Sequence, residues 1–203
     1  MTRIMSCEPA GLISERRAFF RAAGAATLSA TAVALIAGCE SMAQGMGAQG
    51  GSASMADINI LNVALALEHE AINAYQLGAE SGLLQPPVLA TAVAFQSHHK
   101  EHRDALVATI RKMGGTPAAE KMKAEYAQAL NAGSLRSQAD VLKLAQRLER
   151  GAANAYIGVI PSFGDKGLAQ VAARLSADET MHWTALTGAM AEMLPQKALT
   201  FGA

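Results

Sequence analysis

The sequence predicts an all-α fold: a four-helix bundle with one long crossover between its second and third helices. Three observations predict it. From residue 57 onward, apolar residues recur at helical spacing in four long stretches, with no alternating strand pattern of useful length. The breaker clusters between these stretches make the first and third links short and the second link long. The chain also repeats itself. Residues 67–75 match residues 148–156 at six of nine positions, at an offset of 81. At an offset of 80, His102 falls on His182, Leu106 on Leu186 and His99 on Glu179. The chain is thus two copies of one helical hairpin.

The elements follow in order. Asp57 is placed to cap the first helix, whose stripe is Leu61, Leu65 and Ile72; the helix runs to about Glu80 and is broken by Gly82 and Pro86-Pro87. The second helix, residues 88–113, carries Ala92, Phe95, Leu106 and Met113 on one stripe and stops at Gly114-Gly115-Thr116-Pro117. Residues 118–136 form a looser crossover with a short helix over 118–130. Residues 137–140 start the third helix, with Leu142, Ala145, Ala152 and Tyr156 in line; Pro161, Gly164 and Gly167 end it. The fourth helix is expected over 167–194, stopped by Pro195, with a tail over 195–203.

The residues before 57 read differently. Arg16 and Arg17 precede Phe19-Phe20-Arg21 and a mildly apolar stretch over 22–38, the layout of a signal peptide. The paired arginines make it resemble a twin-arginine (Tat) signal over residues 1–38. Ile36-Ala37-Gly38-Cys39 resembles a bacterial lipobox, which implies lipidation of Cys39, attachment to the membrane and a location in the periplasm or envelope. Residues 39–56 have the composition of a flexible Gly/Ser tether.

Composition narrows the function. The chain has 203 residues, with 17 Lys plus Arg against 17 Asp plus Glu. That balance argues against a nucleic-acid binder. Its two cysteines, Cys7 and Cys39, both precede residue 57, which excludes a disulfide scaffold or thiolate metal site from the helical domain. All five histidines lie beyond residue 56.

Each helix places ionisable groups on its own core-facing line. Glu68 lies on the first stripe and Glu149 on the third; His99 and His102 fall between Phe95 and Leu106, and Glu179 and His182 between Leu175 and Leu186. Buried carboxylates are costly unless compensated, and four helices carrying that cost at one level point to a shared cation. Glu179-x-x-His182 puts both side chains on one helix face. One glutamate on each of two helices plus Glu-x-x-His on the other two is the di-iron or di-manganese carboxylate pattern. Glu68, Glu149, Glu179, His182 and His102 fill five of its six places, and His99 stands in the sixth in place of a glutamate. A neutral imidazole has one free lone pair and cannot bridge two ions as a carboxylate does. The substitution makes the site less negative and favours Zn, Cu or a single Fe(II) over ferric ions.

On these residues the chain resembles the ferritin-like superfamily, and specifically the exported bacterial ferritin-like domain proteins, over about residues 57–194. The resemblance implies iron or manganese, in a one- or two-ion centre, and oxidoreductase or ferroxidase-type chemistry. It implies Glu68 and Glu149 as terminal ligands, Glu179 as the bridge, His102 and His182 as nitrogen ligands and His99 as the variant sixth. Ala71 and Ala152, one turn along, leave room beside the cluster.

Other readings stay open from sequence alone. His98, His99 and Glu101 also read as an exposed polar patch, and Glu68 and Glu149 as ion-pair partners of Arg103 or Arg174. Tyr75, Tyr156 and Trp183 read as packing residues. A metal-free bundle serving as an envelope interaction or stress-protection module is one rival, and a metal store without turnover another. An outer helix face leaves room for a homodimer.

Overall fold

Residues 50–202 are described by a computed structural model, with side chains from Met55 onward. The predicted export signal at Arg16 and Arg17 and the lipobox at Cys39 lie outside these residues. The described elements are α1 (Gly50–Glu80), α2 (Pro86–Lys112), α3 (Lys123–Ala129), α4 (Gln138–Val159) and α5 (Lys166–Ala189), with single 3-10 turns at Ala132–Ser134 and Ile160–Ser162. Among the described residues there is no strand and no helix long and apolar enough to cross a membrane.

The links decide the topology. Residues 81–85 turn α1 back on α2, and residues 160–165 turn α4 back on α5. The two hairpins then pack α1 against α4 and α2 against α5. Pro86 and Pro87 open α2 where their missing N–H groups cost nothing. Ser137 caps α4 through the Asp140 N–H, and Asp165 caps α5 through the N–H groups of Gly167 and Leu168. Gly114 ends α2 at φ 80°, with Gly115 N–H donating to the Ile110 carbonyl.

The long crossover is stitched to α1. Asn62 donates to the Thr116 carbonyl and accepts from the Ala118 N–H at 2.6 Å. Asn73 donates to Glu120 at 2.7 Å. Tyr126 of α3 is buried with Ala74, Leu130 and Leu144. Tyr126 thus closes an apolar face that α1 and α4 leave open.

The core has two apolar ends and a polar middle. At one end Leu61, Leu65, Leu106, Ile110, Tyr156 and Leu175 cluster. At the other, Tyr75, Ala92, Phe95, Leu142 and Leu186 cluster. Each large apolar side chain so buried contributes about 1.5–3 kcal/mol. That driving force holds the polar layer out of water.

Two boundaries differ from the sequence expectation. α1 begins at Gly50, so its first residues occupy part of the predicted tether. Asp57 therefore sits inside a helix; buried, it accepts from the Gly164 and Asp165 N–H groups and ties down the α4–α5 link. α5 ends at Ala189, five residues before the expected stop at Leu194, because Ala191 takes φ 54° and Glu192 N–H returns to the Thr187 carbonyl. This is a Schellman ending built on a residue that rarely adopts it. The tail beyond folds back. Gly202 donates to Asn154, Phe201 lies edge-on to Trp183, and Arg150 sits over the Phe201 ring.

Candidate metal centre

The six predicted residues converge in the polar layer. Glu179 and His182 are 0 % exposed, Glu68 and His99 1 %, Glu149 2 % and His102 8 %. Their donor atoms form two overlapping groups, each with all its ligand atoms within 4.8 Å of one another. One is Glu68, His99, His102 and Glu179; the other is His99, Glu149, Glu179 and His182. Glu179 and His99 belong to both. The reading of His98, His99 and Glu101 as a surface patch fails at His99, which is deeply buried. Among the described residues Glu68 and Glu149 pair with His99, His102 and His182, not with arginines, and Arg103 pairs with Asp104.

His99 lies between the two terminal glutamates. Its Nδ1 is 2.8 Å from Glu68 Oε2 and its Nε2 is 3.2 Å from Glu149 Oε1. Burial alone would lower its pKa, but hydrogen bonds with Glu149 and Glu68 and the charge on Glu179 outweigh it and hold it at about 10. The ring is thus an imidazolium donating to both carboxylates. Burial would raise Glu68, but the His102 ring beside it and its hydrogen bond with His99 hold it down at about 2. Glu149 is lowered in the same way, against burial, by His182 and His99.

Glu179 is handled differently. Its oxygens are 3.3 Å from His102 Nδ1 and His182 Nδ1, yet neither oxygen has a hydrogen-bond partner. His102 Nδ1 is also buried without one. Burial dominates and leaves the Glu179 carboxyl above its ordinary range. Burial pushes His102 down, but its hydrogen bond with Asp178 and the nearby carboxylates of Glu179 and Glu68 hold it at about 12. An orphaned buried carboxylate surrounded by imidazole nitrogens is a donor set that fits a divalent cation.

Four residues outside the predicted six complete the site, and they cross between hairpins. The Tyr156 hydroxyl donates to Glu68 and the Tyr75 hydroxyl to Glu149, each reaching the glutamate of the other helix. Asp178 Oδ2 lies 3.3 Å from His102 Nε2, and His98 Nδ1 lies 2.9 Å from His182 Nε2. His98 and Asp178 are themselves equivalent at the offset of 80. Each is four residues before one ligand histidine and contacts the other. These contacts aim both Nδ1 atoms at the carboxylates, as outer partners of ligand histidines do. Phe95 stacks on His182 with ring centroids 4.1 Å apart and closes that side to water. Sequence reasoning took the tyrosines as packing and read His98 as part of an exposed polar patch. The repeat, which pairs both residues with their counterparts, was the signal that could have found them.

This fold and this set of buried carboxylates and histidines match the layout of helical bundles that can hold metal between two hairpins. A family model described as ferritin-like domain matches residues 56–192, and the chain belongs to that family. It is similar to the crystal structure of a conserved hypothetical protein from Mycobacterium tuberculosis, at 26% identity and TM-score 0.53, over 72% of this chain and 98% of that one. No curated protein matches.

Proposed function

We propose that the protein is a ferritin-like metal protein of the bacterial envelope, holding one or two transition ions, iron or manganese, between its hairpins. The observation that carries this reading is the orphaned Glu179 carboxylate at the centre of six buried ligand residues. Glu68, His102 and Glu179 would hold one ion and Glu149, His182 and Glu179 the other, with Glu179 shared and His99, once deprotonated, a ligand to one of the two. Iron or manganese there supplies one-electron redox chemistry toward a small oxidant, and oxidoreductase or ferroxidase-type activity is the matching role. The chain's own groups set its conditions. Tyr75 and Tyr156 hold protons against Glu149 and Glu68, Asp178 and His98 orient the two ligand histidines, and Phe95 excludes water. Three carboxylates and three imidazoles favour divalent over ferric ions.

The proposal extends to the residues before 50. The leader with Arg16 and Arg17 would export the folded chain, and lipidated Cys39 would anchor it.

One observation favours a second reading. Glu68 and Glu149 each accept from His99 and from a tyrosine, so two of the three carboxylates are satisfied without any cation. A metal-free bundle acting as an interaction module follows if Glu179 stays neutral. The test is metal content after anaerobic loading with Fe(II), Mn(II) or Zn(II), beside Glu179→Ala/His182→Ala. The expected result is about one to two equivalents per chain, lost in the double variant. No retained metal, with a melt unaffected by metal, would establish the second reading instead.

A further inference from the structure

A cavity of about 220 Å³ enters the bundle between α1 and α4 and ends on His99 and Glu149. Its walls are Leu67 and Ala71 from α1 and their repeat equivalents Leu148 and Ala152 from α4. It therefore straddles the axis that relates the two hairpins. The equivalence breaks at the rim, where α1 carries Glu70 and α4 carries Gly151. Gly151 is exposed, and a Cβ built on it meets nothing within 4 Å. Its φ is not positive, so neither the backbone nor close packing requires glycine there. Within a helix glycine is unfavourable relative to other residues. What it provides at this position is open space above the cavity.

We propose that this cavity is a binding pocket for a small uncharged reactant, admitted past Gly151 and delivered to the His99–Glu149 side of the centre. The second half of that statement rests on the metal reading above; the pocket itself does not. The pocket suits such a ligand in size, since a dry cavity of about 150 Å³ already holds benzene. It suits one in polarity, because between rim and floor a charged ligand would be desolvated against four aliphatic side chains, and the floor charges of His99 and Glu149 already pair with each other. Glu70 and Arg147 at the rim carry opposite charges and select neither sign.

The test uses the full chain, Gly151→Leu to plug the mouth and Gly151→Ala as control. Both substitutions raise helix propensity, so neither threatens the fold. Xenon, an uncharged probe, is titrated into metal-free protein and followed by methyl NMR. The expected result is a saturable shift at the methyls of Leu67, Ala71, Leu148 and Ala152 in the wild type and Gly151→Ala, reduced at least about tenfold in affinity in Gly151→Leu. No shift at these methyls in the wild type, or an equal shift in Gly151→Leu, would overturn the pocket. In a second arm, Co(II)-loaded protein is titrated with neutral imidazole and its visible bands are recorded. A response in the wild type that Gly151→Leu weakens supports delivery to the centre, and equal responses overturn it. Failure to take up Co(II) would count against the metal reading and against delivery, while the xenon arm still decides the pocket.

Discussion

Tyr156 and Glu149 share a helix, yet the tyrosine hydroxyl serves Glu68 across the bundle. The same crossing joins Tyr75 to Glu149, and Asp178 and His98 to the histidines opposite. Glu68, Glu149, His102 and His182 thus each gain a partner that their own helix cannot supply. Tyr156→Phe removes the donor to a buried carboxylate, and the expected cost is about 1–3 kcal/mol. Urea unfolding in chelator measures it; an unchanged midpoint would show that the hydroxyl contributes nothing. A pH dependence follows from the same groups in metal-free protein. His99 and His102, raised to about 10 and about 12, contribute stability that is complete below the unfolded value near 6.5 and is lost as pH rises toward the folded ones. Glu68, lowered to about 2, contributes stability that is complete above its unfolded value and is lost as pH falls toward the folded one. The metal-free bundle is therefore most stable between about pH 4.5 and 6.5. Stability that climbs from pH 6.5 to 9 in chelator would contradict these assignments. The six ligand positions were legible because an ionisable residue on an apolar stripe breaks a helical pattern that sequence displays. The tyrosines, His98 and Asp178 were not, because what they touch depends on which helix lies opposite.

At the scale of the element, the ends of helices were legible where their chemistry is local. Pro86-Pro87, Gly114-Gly115 and Ser137 mark boundaries by their own conformational limits, and the structure places helix ends beside each. The end of α5 was not legible. Its reversal falls on Ala191 at φ 54°, and alanine carries no signal for a left-handed residue. Pro195 drew the expectation five residues too far along. The structure makes Ala191→Gly a stabilising change of about 1 kcal/mol, since the position already has the backbone glycine prefers. Thermal unfolding checks it, and a lowered melting temperature would mean that the Schellman ending does not form. Asp57 carries a related lesson. It looks like a helix cap by sequence, and it does cap a backbone turn, but the turn is the α4–α5 link, 107 residues further on.

The described residues form two equivalent hairpins whose contacts cross. That explains why a repeat visible in sequence at offsets of 80 and 81 places its polar residues at one level. It also shows where the equivalence is broken to effect. His99 stands opposite Glu179, which puts an imidazole and a carboxylate at the two shared positions of the centre. Gly151 stands opposite Glu70, which opens one side of the bundle. The bundle and its crossover followed from link lengths and periodicity, because each link joins neighbours and needs only local signals. The docking of the tail on Trp183 and Arg150 did not, because it joins short irregular segments that carry no period.

The central claim is that the buried layer holds metal through these six residues. The most direct measurement is anomalous diffraction from crystals of protein loaded anaerobically with Fe(II), recorded on both sides of the iron edge. Iron is expected within the group of Glu68, His99, His102 and Glu179, within the group of His99, Glu149, Glu179 and His182, or in both. Loaded crystals with no anomalous density in this layer, or with iron bound only at surface carboxylates, would contradict it.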